Sequence, residues 1–292
     1  MSRLPERAGA IYDLGYRRYD GFRLGRRSSL LALFTQGLRS AFGLGRRPAS
    51  KIAPFALASL ALIPAAIYLG IAAIAPGDLD LIAAEDYLEV IFIILILFVA
   101  AVGPEVVGRD LRYRTLALYF TRPIERDDYA IARIGALAVA CLAVTLVPQT
   151  VLYIGNTLAA DSVWDYLRDE WSDAPRIIAS GAVAALYVSA VGLAIACHTH
   201  RRSFAMGGIV ALFIITGIVA EVLAETVSGA WLMLDPGIQI RAVTLLIFNR
   251  DANADEPIAT EDVPIVGAAI VLMGVIALAL SVILRRYRMV RA

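Results

Sequence analysis

The sequence predicts an all-α integral membrane protein with six transmembrane helices. Three observations carry this. Mean hydropathy is +0.71 over 292 residues, with 59% of them hydrophobic. The apolar residues fall in blocks of roughly twenty, the length that crosses a ~30 Å hydrocarbon layer at ~1.5 Å rise per residue. The blocks do not alternate in polarity, as the strands of a transmembrane barrel would.

Residues 1–52 form a polar, arginine-rich tail with no apolar core or cleavage site of a secretory signal. Its opening run, IYDLGYRRYDGFRLGRR, is too short for a domain, and its tyrosines and arginines suit a partner protein or anionic headgroups. Within the tail, 24–47 reads LGRRSSLLALFTQGLRSAFGLGRR. Leu31, Phe34, Leu38 and Phe42 recur with Ala41 at helical spacing, while Gln36, Arg39 and Ser40 lie away from the stripe. This predicts an amphipathic elbow helix in the membrane interface with its apolar face in lipid; a cytoplasmic helix packed on a soluble domain is the alternative.

The six spans are read at 53–75, 87–107, 130–158, 176–197, 204–226 and 264–284, with a short basic tail at 285–292. The third is long, so it is expected to tilt or to break near Pro148. Arg133, one turn inside it, is expected to snorkel toward headgroups.

Orientation follows from charge. The tail before the first span holds 11 Lys and Arg, and the next loop has four acids and no base. The 105–129 loop has five arginines, the 159–175 loop one arginine against five acids, and 198–203 two arginines in six residues. The 227–263 segment has two arginines against six acids, and the final tail four arginines and no acid. Alternate connections are basic, which places both termini in the cytoplasm. Trp164, Trp171 and Trp231 then fall on the outer side, where amphipathic rings favour the interface.

The stretch 109–133, RDLRYRTLALYFTRPIERDDYAIAR, carries six arginines and four acids between two apolar spans. It predicts a short helix with Leu111, Thr115 and Leu118 on one face. Pro123 stops that helix and biases Arg122 to an extended backbone. Such mixed charge suits docking into a groove of another protein, or else pairs with itself in a solvated loop.

On the outer side, 228–248 reads SGAWLMLDPGIQIRAVTLLIF, two apolar arms around the Asp235-Pro236-Gly237 turn signal, each too short to span. A re-entrant hairpin fits, with a surface loop as the alternative. Glu221 and Glu225, at i and i+4 near the outer end of the fifth span, line a vestibule or are solvated at the interface. Gln149 and Asn156 are the polar candidates for a translocation path, or else hydrogen-bond between helices.

Other chemistry finds little support. His198 and His200 lack further ligands and sit beside Arg201 and Arg202, so no metal site is expected. Cys141 and Cys197 both lie in apolar segments and read as small buried hydrophobes. No phosphate-binding GxxxxGK[ST] loop and no HExxH motif occurs. Spans one, three, four and six hold no acid, which opposes an intramembrane protease.

The order Glu105, Arg114-Thr115-Leu116, Thr121-Arg122-Pro123-Ile124, Arg126, Tyr129, Arg133 resembles the cytoplasmic coupling segment of ABC-2 type ABC transporter permeases. Arg114 stands where that family usually has glycine, and Arg133 where it has lysine. The resemblance implies that Glu105, Arg109, Asp110, Arg112, Arg114, Thr115, Arg122, Pro123 and Arg126 couple to a cytoplasmic ATPase. It implies a coupling helix between spans two and three, two ATP-binding subunits, and a second permease copy or homologue. Accessory proteins are further candidate partners, and nucleic acid is not expected. This chain would bind no cofactor; ATP and magnesium would sit in the partner. Function would be ATP-driven transport, mainly export, in a bacterial inner membrane. A secondary transporter and a membrane scaffold subunit are the alternatives.

Overall fold

The computed structural model describes residues 21, 25–74, 86–112, 116–121, 123–160, 162–199, 201–254, 256–261 and 263–289. They are all-helical, with no strand among the described residues. The order is α1 (Arg26–Ala41), α2 (Ala49–Ile74), α3 (Tyr87–Arg112), α4 (Leu116–Tyr119), α5 (Arg126–Ala159), α6 (Val163–Asp169), α7 (Asp173–Ala196), α8 (Arg202–Thr226), a 3-10 turn (Gly229–Leu234), α9 (Pro236–Phe248), α10 (Pro257–Thr260) and α11 (Ile265–Met289). Six helices are long and apolar enough to cross a membrane: α2, α3, α5, α7, α8 and α11.

Three of these form the centre. The most apolar stretches of α3, α5 and α7 are 56–67% buried within the chain, against 17–22% for α2, α8 and α11. The central three pack on one another. The outer helices leave rows of large apolar side chains uncovered, such as Ile52, Phe55, Ile63 and Ile67 on α2 and Leu212, Ile215, Ile218 and Val222 on α8. Contiguous apolar surface of this kind needs lipid or a protein partner.

α1 turns one face against this bundle rather than to lipid alone, and that face takes in Ser40, expected away from the apolar stripe, and leaves out Leu31. Leu33, Gly37, Ser40 and Ala41 are buried on α5 and α3, and Phe34, Leu38 and Phe42 are partly buried against the core. Leu31 is 60% exposed. The helix ends in a Schellman motif. Gly43 takes φ +64°, Leu44 N–H donates to Arg39 O at 2.8 Å, and Gly43 N–H donates to Ser40 O at 3.1 Å. A Cβ on Gly43 would lie 2.5 Å from Ser50 O, so glycine is required on both counts.

α5 runs unbroken through Pro148, which is buried among neighbouring helices, so of the two expected outcomes the break does not occur. Two boundaries need correction. α5 begins at Arg126, earlier than 130, because Glu125 and Asp128 form a capping box there. Helix α3 likewise continues to Arg112: the residues RDLR contain no breaker, and Asp110 is held from across the bundle. Leu111 therefore belongs to the last turn of α3 and Leu118 to the separate α4.

Near its centre α2 receives a side chain into its backbone ladder. The Tyr87 hydroxyl donates to Ala61 O at 2.5 Å and accepts from Ala65 N–H at 3.2 Å, next to Pro64. A proline and an inserted hydroxyl are both recognised causes of helix bending.

Candidate functional site

The site is the connection between α3 and α5. Of the nine residues assigned to it from sequence, Arg114, Thr115 and Arg122 lie outside the described residues. Arg109 and Arg112 are placed on the helical backbone of α3 only. The remainder are described in full.

All four acids of the 109–133 stretch are engaged inside the chain. Asp110 accepts from Arg133, and from the Tyr129 hydroxyl at 2.6 Å. Arg26 of α1 grips Asp128 with two bonds of 2.8 Å and Glu125 with a third of the same length. Arg288 of α11 pairs with Asp127 at 2.6 Å. Just before the stretch, Glu105 pairs through both oxygens, with Arg46 at 2.6 Å and Arg202 of α8 at 2.8 Å. The connection is thereby tied to α1, to the α1–α2 turn, to α8 and to α11. Only Asp110 pairs within the stretch itself; Glu125, Asp127 and Asp128 pair with arginines of α1 and α11, so the stretch is not self-paired.

An aromatic stack backs these pairs. Tyr129 at the start of α5 lies between Tyr119 of α4, at 5.7 Å, and Tyr287 of α11, at 5.1 Å. Tyr129 and Tyr287 are fully buried. Arg126 donates to Arg288 O at 2.7 Å and lies 5.8 Å from the Phe120 ring centre. Pro123 is exposed, Ile124 beside it is buried, and Leu118 is 70% exposed. Leu118 and Pro123 are therefore free to meet something outside the chain.

Arg133 departs from its expected place. It does not reach outward to headgroups but is 1% exposed, under α1, with its guanidinium 5.1 Å from the centre of the Tyr129 ring. The reason is Asp110: a carboxylate across the bundle compensates the charge where it stands.

The ion pairs sort by end of the bundle. Those named above all lie at the end that carries α1. At the far end Arg241, 6% exposed, pairs with Asp86 and with Glu256, each at 2.6 Å. Arg250 lies 3.8 Å from both Glu170 and Asp173. No pair among the described residues mixes the two ends, as the alternation of loops requires. The Glu256 carboxyl is held below its ordinary range by hydrogen bonds from Arg241, against an opposing effect of burial.

The 228–248 segment is a 3-10 turn followed by α9. Asp235 caps α9 through Ile238 N–H at 2.8 Å, and Pro236 stands in its first turn. Asn249 closes it in the left-handed conformation. α9 packs on α11, α7 and α3.

Gln149 and Asn156 are 0% and 6% exposed on α5. Gln149 faces α7, where a Cβ on Gly181 would lie 3.5 Å from its Oε1. They sit inside this chain's own helix packing. Glu221 and Glu225 are exposed on α8, away from that pair. The four path candidates are therefore not brought together within one chain. Among the described residues no group of His, Cys, Asp and Glu could hold a metal ion.

Sequence reasoning missed Arg26, Arg46, Arg202, Tyr287 and Arg288 as partners of the connection. A surplus of arginine in every segment at the α1 end was the available signal. No family model matches this chain, and no curated protein matches it.

Proposed function

We propose that this chain is the membrane-spanning permease subunit of an ATP-driven transporter of the ABC-2 type, an exporter in a bacterial cytoplasmic membrane with both termini in the cytoplasm. The observation that carries this reading is the convergence of ties on the α3–α5 connection. Arg26 and Arg288 reach its α5 end, and Arg46 and Arg202 reach Glu105 on α3 just before it, from four separate parts of the fold. A load applied at α4 would pass to the start of α5 through the Tyr119–Tyr129 contact, and from the ends of α3 and α5 to α1, α8 and α11 through these pairs. That is what a coupling element needs: one contact point linked to several helices that can move between two arrangements.

In this reading α1 is the interfacial elbow and α4 the coupling helix, and Arg109, Arg112, Arg114 and Arg122 belong to the ATPase-coupling set. The segment 229–248 is a re-entrant hairpin in the outer leaflet, with the buried charge of Arg241 compensated by Asp86 and Glu256. The uncovered apolar faces of α2 and α8 meet lipid and a second copy or homologue. Glu221 and Glu225 would then line a path completed only by that second chain. Two ATPase subunits carry ATP and magnesium; this chain has no catalytic role.

The test is purification from native membranes with bound partners. The reading expects an ATP-binding cassette polypeptide in equal ratio with this chain, lost in the Arg112→Glu/Arg114→Glu variant. Transport by the chain alone in liposomes under an ion gradient would replace it with a secondary transporter.

A further inference from the structure

The short helix α6 joins α5 to α7 at the end of the bundle away from α1. Its surroundings are arranged the wrong way round for water. Polar groups face the protein: Asp173 is 6% exposed, with Arg176 at 3.2 Å and Arg250 at 3.8 Å, and Glu170 also lies 3.8 Å from Arg250. Tyr166 packs on the Tyr153 ring of α5 at 6.2 Å, and the Tyr153 hydroxyl donates to Glu170 O at 3.2 Å. Large apolar groups face away: Trp164 is 82% exposed, Trp171 69%, and Leu158, in the last turn of α5, 72%.

In a protein surrounded by water, tryptophan is highly buried on average. Here Asp173 is covered and both indoles are bare. Asp165 and Arg168 are nevertheless exposed beside them. Bare indoles oppose water, and bare charges oppose hydrocarbon. The layer that accepts both is the headgroup region, where the ring meets acyl chains and its N–H meets polar groups. Exposed apolar rows lead into this layer from both neighbouring spans. Val147, Val151, Ile154 and Leu158 share one face of α5, and Ile178 of α7 lies two turns on from Trp171.

We infer that α6 lies in the headgroup layer of the leaflet at this end, with Trp164 and Trp171 set against phospholipid. A protein partner could also cover the indoles, but the continuity of the rows favours lipid. One consequence concerns the height of α5. An upright helix crosses the hydrocarbon in about twenty residues, so counting back from Leu158 sets the opposite boundary near Val139. The turn of α5 that carries Arg133, and on which α1 packs through Phe34 and Gly37, then stands beyond the hydrocarbon, where a charge is cheaper. The inference does not depend on the chain being a permease.

The test uses the full chain in dioleoylphosphatidylcholine vesicles. Its three tryptophans are Trp164, Trp171 and Trp231. Trp171→Phe/Trp231→Phe leaves the first as sole reporter, and Trp164→Phe/Trp231→Phe the second. All three positions are exposed, so these changes leave the core intact. Emission is measured with phosphatidylcholine that carries a nitroxide high on its acyl chain, close to the headgroups, or near the chain end, and with iodide on both sides of the membrane. At both positions the shallow nitroxide should remove more emission than the deep one, and more than iodide. Stronger quenching by iodide than by either nitroxide overturns the assignment and leaves the indoles to water or to a protein partner. Stronger quenching by the deep nitroxide, or none by any of the three, overturns it in favour of burial in hydrocarbon or in protein.

Discussion

Arg133 of α5 and Asp110 of α3 form an ion pair inside the end of the bundle that carries α1, with the arginine 1% and the aspartate 13% exposed. Removing one member leaves a buried charge with nothing to offset it. Asp110→Ala should destabilise the protein by about 3–5 kcal/mol. The double variant Asp110→Ala/Arg133→Leu should recover most of that loss, because neither charge remains. Denaturation of both variants in one detergent checks this; a double variant no better than the single would place the cost elsewhere.

The docking of α1 rests on a close approach at Gly37. A Cβ there would lie 2.7 Å from the Ala136 Cβ and 3.3 Å from Arg133 Nη1. Overpacking of this kind costs about 1–3 kcal/mol, against a gain of about 1 kcal/mol from alanine's better helix propensity. Gly37→Ala should therefore loosen α1 on balance, seen as faster amide exchange over 26–41. Gly70→Ala, with open space around the added methyl, is the control and should be neutral or mildly stabilising.

Tyr87→Phe should cost about 1 kcal/mol, the net value of a buried hydrogen bond, because the hydroxyl bridges Ala61 O and Ala65 N–H. The loss is modest, since the freed amide and carbonyl are an i, i+4 pair able to bond each other. A loss above about 3 kcal/mol would show that the hydroxyl does more for α2 than bridge these two backbone groups.

At the far end, stability should depend on acid through Glu256. Its folded-state pKa lies below the ordinary carboxylate value, with Arg241 the main cause and burial opposing. The stabilisation is thus complete above the unfolded pKa of about 4.3 and is lost as pH falls through the lower, folded value. A thermal midpoint measured from pH 6 down to pH 3 should fall in wild type. Glu256→Gln should start lower and lose less over the same range.

How much of this was legible varies with the range of the interaction. The six spans were, because a run of about twenty apolar residues is a local property. So was the break at Asp235, where the Asp-Pro-Gly run sets the local backbone; the helix end at Gly43 was not read, although a glycine there is a local signal. The start of α5 was misplaced because hydropathy begins at Ala130, whereas the helix begins at the Glu125–Asp128 capping box. The partners of the connection were not legible. Arg26 and Asp128 are 102 residues apart, and Arg288 and Asp127 are 161 apart. Arginines abound in all of these segments, so composition gives the end of the bundle but not the pair. Arg133 was read as a snorkelling side chain because only the fold brings Asp110 opposite it.

The most direct test of the account is a cross-link from α4. Leu118 is 70% exposed, while Cys141 and Cys197 are 0% and 1% exposed, so a Leu118→Cys thiol stands apart from the native ones. In native membranes a maleimide–benzophenone attached to the Leu118→Cys thiol should on illumination join position 118 to an ATP-binding cassette polypeptide, with a yield that changes when ATP is added. If that cysteine reacts fully with a large polar maleimide while the intact assembly transports, or can be labelled only from the outer face, the α3–α5 connection is not the coupling element.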